Sequence, residues 1–232
     1  MSSWQATAAA NNAEWCDLVC RSHGARTRFD ADAWTSEARA PTYFPDAVTL
    51  VDDPPVPDLL SRINMSAGCS IKDSFGSLDL TGDGFRVLFD AEWIVRTSRA
   101  RPPDGAGPRW ELVRTPGGLT TWEQAWRGDD GPTGVFRAEL LDHDTVEVLA
   151  ARAGERVVAG AVLNRSATVV GISNLFAAPR AIAAAWSGCL ALAGALHPAS
   201  TFVGYESGDG LTAARHHGFE TVGPLRVWVH DG

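Results

Sequence analysis

Apolar and polar positions change period several times along the chain, and each change marks an element. Over residues 11–21, Trp15, Leu18 and Val19 recur on one side at helical spacing, which predicts an amphipathic helix from Asn11 to Arg21. The run AVTLV at 47–51 reads as a strand, Pro57 opens a short helix DLLSRI, CSIKDSF at 69–75 is a strand, and Gly84–Val95 is a long strand or hairpin. The stretch TSRARPPDGAGPR, from Thr97 to Arg109, is rich in Pro, Gly and Arg and has no apolar period. It predicts a linker between an N-terminal αβ segment (1–100) and a second segment (109–232).

The second segment alternates more regularly. WELVRT at 110–115 is a strand, and LTTWEQAWR at 119–127 is a helix that Thr120 or Thr121 can cap, with Glu123 or Gln124 three residues on. After the turn GDDGPTG, VFRAELL reads as a short helix. VEVLAAR and RVVAGAVLNRS form a hairpin around Gly154, and TVVGISNLF continues as a third strand. Pro179 suits the first turn of a helix running to about Leu196, where His197-Pro198 stops it. TFVGYE is a strand, Gly210 to His217 a helix with Gly218 as its C-cap, and TVGPLRVWV a final strand. The expected class is α/β (α+β), a mixed sheet flanked by helices and ordered β-α-α-β-β-β-α-β-α-β in the second segment.

Composition narrows the chemistry. A chain of 232 residues with 45% hydrophobic content can bury one generous core or two small ones. A net charge of -8 argues against nucleic acid, whose binders need clustered cations to displace counterions. Lys72 is the only lysine among the basic residues, which reads as the codon bias of a GC-rich, actinobacterial genome. Residues 1–14 show no cationic start and no apolar core of a secretory signal, so a cytoplasmic location is expected. The most apolar stretch, Ala181–Leu196, falls short of the roughly 20 residues that span a bilayer and reads as a buried helix, so no membrane is expected as a partner.

Cys16, Cys20 and His23 can present two thiols and an imidazole on one helix face, but no further ligand pair follows, and no metal is expected. Ser187 lies inside a predicted helix without the leading glycine of a nucleophile elbow, and no G-x-x-x-x-G-K phosphate loop occurs. DHD at 142–144 reads as a polar turn.

The element order and the ending GF-x-x-VGPLRVW, from Gly218 to Trp228, resemble the GNAT superfamily of N-acetyltransferases over roughly Arg109–Val229. The resemblance implies a GNAT-like mixed central sheet and transfer of an acyl group from acetyl-CoA or another acyl-CoA to an amine, on a small molecule or a protein. It also implies that two parallel strands, Val169–Phe176 and Phe202–Tyr205, diverge to admit the pantetheine arm. The final strand would close the edge of the same sheet. The cofactor would run along Asn174, Leu175 and Phe176, with its pyrophosphate on Ala178, Arg180 and Ala181 at the start of the next helix.

In the family that loop reads Q/R-x-x-G-x-G/A. Here it is AAPRAIAAA, without glycine, and Pro179 removes one N–H donor; Arg180 can supply charge instead. The family's tyrosine, four residues before the GF glycine, is replaced by Ala214. Tyr205 takes over protonation of the departing thiolate if its hydroxyl reaches the gap, and otherwise closes the sheet end. Glu206 is either the general base or a solvated acid capping the next helix. Ser173, with Asn174, either contacts substrate or satisfies an irregular strand locally. A further reading keeps the fold as a ligand- or partner-binding module that has lost the cofactor.

The N-terminal segment echoes the second. Lys72-Asp73 precedes Gly84-Phe85 much as Tyr205-Glu206 precedes Gly218-Phe219, and Trp93 trails it as Trp228 does. This suggests a degenerate half-copy of the same domain, with an ordinary αβ extension as the alternative.

Overall fold

The computed structural model describes residues 3–97, 108–128 and 131–232. Most of the expected linker, residues 98–107, and two residues of the GDDGPTG turn, 129 and 130, lie outside the described residues. The elements are α1 (Trp4–Ser22), β1 (Thr27–Phe29), β2 (Ala33–Ser36), β3 (Ala47–Thr49), α2 (Val56–Ser61), β4 (Ser70–Asp73), β5 (Phe85–Arg96), β6 (Arg109–Val113), α3 (Pro116–Arg127), β7 (Val146–Ala153), β8 (Arg156–Arg165), β9 (Val170–Ala177), α4 (Ile182–Leu196), β10 (Phe202–Glu206), α5 (Gly208–His216) and β11 (Glu220–His230). The expected VFRAELL helix is a 3₁₀ segment, Ala138–Asp142. The chain forms two compact units. Unit 1 is Met1–Trp93 with Thr221–Gly232, and unit 2 is Ile94–Glu220.

In unit 1 the strands follow the order β1-β2-β3-β4-β11-β5. β1, β2 and β3 are antiparallel, β3 and β4 are parallel through Ala47–Ile71 and Val48–Lys72, and β11 runs antiparallel to β4. The final strand therefore does not close the edge of unit 2. A one-sided apolar ending cannot reveal which strand it pairs with. Trp228, on β11, is instead buried with Ile71, Cys69, Leu80 and Phe85 in the core of unit 1.

Helix α1 starts earlier than its apolar period suggested, because Ser3 caps it by accepting the Ala6 N–H at 3.2 Å and the alanine-rich first turns favour helix without marking a face. Two buried polar groups are tied down beneath it. Lys72 donates to Asn12 Oδ1 at 2.6 Å, and Asp46 accepts the N–H groups of Ala40 and Ser70, both at 2.8 Å, and Arg39 Nε at 3.1 Å. All four cysteines are free and buried, and burial pushes their thiols up, Cys69 and Cys189 to about 12. A protonated thiol is a poor nucleophile or metal ligand.

In unit 2, β6 to β9 form an antiparallel meander and β10 joins β9 in parallel. Helices cover both faces. Alternation along β8 explains the layers: Ala159 and Ala161 face α4, whereas Gly160 faces α3, where the absence of a side chain admits the indole of Trp122. That indole donates to Leu149 O at 2.8 Å. On the other face, Trp110 rests against Gly188 of α4.

The cap of α3 is Thr115, which accepts the Gly118 N–H at 3.2 Å, so neither Thr120 nor Thr121 is the cap. Pro116 suits the first helical position, and the two later threonines bond back to Pro116 O and Gly117 O at 3.1 Å each. Helix α5 ends at His216 with His217 as its C-cap, so Gly218 is not the cap but the residue after it, whose φ of 85° favours glycine; Arg96 Nε donates to His217 O at 2.9 Å, a cation on the negative end of the helix dipole.

Candidate active site

The site is built where β9 and β10 part. Their parallel pairing covers Val170–Phe202 and Gly171–Val203 and goes no further, although β9 continues to Ala177 and β10 to Glu206. Gly204 comes close to Ile172 O, since a Cβ there would stand 2.8 Å from it. On the other side of β9 the register against β8 shifts between Gly160 and Val162, so Ala161 faces both Asn174 and Leu175. Asn174 takes φ 53°, a left-handed conformation that asparagine tolerates, and the strand bends at that bulge. The expected divergence is thus present within unit 2. Backbone groups of Ser173 to Phe176 lie beyond the parallel ladder.

Around the bulge the side chains sort by face. Leu175 packs with Ala185, Ala159 and Trp110 on the α4 side. Phe176 turns to α3, edge-on to Trp122 at 5.3 Å between centroids. Trp122, Trp126 and Phe136 complete an aromatic cluster there, with Trp126 stacked on Trp122 at 6.4 Å and Phe136 edge-on to Trp126 at 4.9 Å. Sequence reasoning put Trp122 and Trp126 on one helix face but missed Phe136 and Phe176, which only the sheet brings to it. It also missed the work of Glu123. This buried carboxylate accepts the N–H groups of Gly134 (2.9 Å), Val135 (2.6 Å) and Phe136 (3.0 Å), and so fixes the chain that carries Phe136.

Tyr205 and Glu206 end β10 on alternate faces. Glu206 is half-buried and lies against Gly210 of α5, where any Cβ would collide with its carboxylate. It does not cap that helix, whose N-cap is Ser207. Burial pushes Glu206 up from 4.5 to about 7, opposed by a hydrogen bond from the Ser207 backbone. A carboxyl with this affinity accepts and returns protons near neutrality.

After β9 the chain makes a 3₁₀ turn, Pro179–Ala181, before α4 begins at Ile182. Ala178 and Arg180 are exposed. Pro179 has no N–H, and the N–H of Ala181 is taken by Ala178 O at 2.7 Å. What remains for an anion is the first turn of α4, with its dipole, and the guanidinium of Arg180. Ala214, at the position of the family's tyrosine, is fully buried in the core of unit 2 beside Trp186 and Phe219. Among the described residues no group of three or more His, Cys, Asp or Glu gathers as for a metal.

No protein-family model and no curated protein matches the sequence. Solved structures do match. A GCN5-related N-acetyltransferase from Kribbella flavida superposes with a TM-score of 0.65 at 14% identity, over 97% of this chain and 96% of its own. A GNAT-family protein from Novosphingobium aromaticivorans gives 0.58 at 14% identity, over 94% and 96%. A GCN5-related N-acetyltransferase-like protein from Streptococcus suis gives 0.54 at 15% identity, over 97% and 98%. These likenesses take in the N-terminal segment as well as the region carrying the sequence resemblance, and the chain has a GNAT-like fold.

Proposed function

We propose that this chain is an acyl-CoA-dependent N-acyltransferase acting on an amine of a small molecule or protein. The observation that carries the reading is the early end of the β9–β10 ladder, with a left-handed bulge on one side and a carboxyl of raised pKa on the other. A pantetheine arm carries amides that pair with strand groups, and the backbone of Asn174, Leu175 and Phe176 would serve it. The first turn of α4 with Ala178, Arg180 and Ala181 would hold the pyrophosphate, more through charge than through loop N–H groups. When bound, acyl-CoA supplies a thioester carbonyl open to attack by an amine.

In this reading Glu206, unprotonated above about pH 7, accepts the amine's proton, directly or through water. Backbone N–H groups of residues 173–175, at the bulge, would be the donors to the thioester carbonyl oxygen. Ser173 contacts the acceptor. Tyr205 would be the proton donor to the thiol of CoA, the role that Ala214 at the family's tyrosine position leaves vacant.

A second reading, a binding module that has lost the cofactor, is favoured by the 3₁₀ turn, in which Pro179 has no N–H and that of Ala181 is already bonded. One experiment separates them. Calorimetric titration with acetyl-CoA and desulfo-CoA shows saturable heat for both if the slot is used, and acyl transfer to an amine panel follows. No heat with either, and no thermal shift with longer acyl-CoAs, leaves the binding-module reading.

A further inference from the structure

At the end of its sheet away from the acyl slot, unit 2 holds a cavity of about 280 Å³. The slot lies where β9 reaches Ala177, a residue level with Ala159, Ala151 and Trp110 on the successive strands beyond it. The cavity sits at the opposite ends of those strands, between the last residues of β6 and the first of β7, beside the end of α4. Leu112 and Leu196, which pack on the core of unit 2, give it apolar walls with Leu141 and Val146. Arg114 and Glu147 share the lining. The proposed acyl transfer uses none of these side chains.

The two charged groups do not pair with each other. The β6–β7 ladder ends at Val113–Val148, and one further step of its register sets Arg114 opposite Glu147. Opposite charges on neighbouring strands ordinarily meet at such a position. Glu147 turns instead to His197, the residue that caps the end of α4, with Oε2 2.7 Å from Nε2. Its other oxygen, Oε1, is left for a second donor. Arg114 is exposed, and no carboxylate or carbonyl among the described residues holds it. A cation and an anion therefore stand on one small apolar cavity, each with capacity for a partner. The end of α4 adds the negative pole of its dipole on the Glu147 side.

We propose that this cavity binds an α-amino acid with an apolar side chain, at a site separate from the acyl slot. The ligand's carboxylate pairs with the Arg114 guanidinium, whose planar fork matches it with two N–H donors. Its ammonium bonds to Glu147 Oε1, and its side chain lies on Leu112, Leu141 and Leu196. The volume suits a ligand of this size, because sites for drug-sized molecules run from roughly 300 to 1,000 Å³. A monocarboxylate without an amine leaves Glu147 Oε1 unmatched, and a dicarboxylate brings like charge against it.

The test is calorimetric titration of the full chain, without acyl-CoA, with L-leucine, L-methionine and L-phenylalanine up to about 10 mM. Saturable binding of at least one is expected. For that ligand, taking L-leucine as the example, leucinamide lacks the carboxylate, 4-methylpentanoate lacks the ammonium and glycine lacks the side chain. Each binds the wild type at least about tenfold more weakly than L-leucine does. These comparisons need no variant. Arg114→Met keeps an apolar stem without the charge; it weakens L-leucine at least about tenfold and brings it level with leucinamide. The proposal is overturned if none of the three amino acids binds, if leucinamide matches L-leucine on the wild type, or if Arg114→Met binds L-leucine as the wild type does. Binding that survives Arg114→Met but is lost in Glu206→Gln also overturns it, since the amino acid would then occupy the acyl slot as an acceptor amine.

Discussion

Units 1 and 2 each contain a strand, a helix and a parallel strand, β3–α2–β4 and β9–α4–β10, yet they finish their ladders differently. In unit 1, past the Val48–Lys72 pair, the Ser74 N–H donates to Thr49 Oγ1 at 2.8 Å, so a side chain takes the place of the next ladder bond. Asp73 then turns back on its own loop and accepts the N–H groups of Phe75 (3.2 Å), Gly76 (3.0 Å) and Leu78 (2.9 Å). Ser77 closes the end by donating to Asp52 O. In unit 2 the ladder stops at Gly171–Val203, the bulge at Asn174 bends β9, and the acid at the strand end, Glu206, is held on its helix without capping it. The same unit of structure is sealed when its polar side chains turn inward to the backbone. It stays open when a bulge replaces them.

The contrast can be broken from either side. The largest expected effect is on chemistry. Glu206→Gln lowers kcat/KM about a hundredfold at pH 8, the ordinary worth of a positioned base, and the wild-type rate falls as pH drops below about 7, the value to which burial lifts this group. A pH–rate profile of both proteins checks this. The same shift has a stability sign. The folded state holds the Glu206 proton more tightly than the unfolded state, so the wild type loses stability as pH rises from 4.5 to about 7, and Glu206→Gln, which cannot ionise, gains relative to it over that window. Denaturation at pH 5 and pH 8 tests the direction.

Next in size is Gly160→Val. A Cβ at that position already overlaps Trp122 and Phe176 and comes within 2.8 Å of Leu149 O, so overpacking costs about 3 kcal/mol in urea and disturbs the bulge that faces it. Asp73→Ala in unit 1 strips a buried acceptor from three N–H groups and costs about 2 kcal/mol by the same assay. Thr49→Val, nearly isosteric, removes only the bond from the Ser74 N–H and costs about 1 kcal/mol. It opens unit 1 without making it bind acyl-CoA, because β3 has no bulge. Acquired binding in that variant would show that the seal alone distinguishes the two units.

Much of this was readable from periodicity. The meander β6–β9, the glycine at the β7–β8 turn and the strand–helix–strand–helix run from β9 to α5 follow directly from alternation, glycine and proline placement. Helix starts were less legible, because Thr115, Thr120 and Thr121 are chemically alike and only the fold decides which one meets a free N–H. The parting of two parallel strands at their C-terminal ends was legible, but the details of the candidate site around it were not. Glu123 serving a loop, and Phe176 meeting Trp122 across the sheet, depend on contacts between residues distant in sequence. The destination of β11 was hidden for the same reason: its alternating face fits any sheet edge that offers an apolar side.

That destination makes unit 1 discontinuous: Trp228 reaches Ile71 and Phe85 from beyond the whole sequence of unit 2. Closing so long a loop carries an entropic cost that unit 2, continuous from 94 to 220, does not bear, so the core around Trp228 is expected to form more slowly than the core of unit 2.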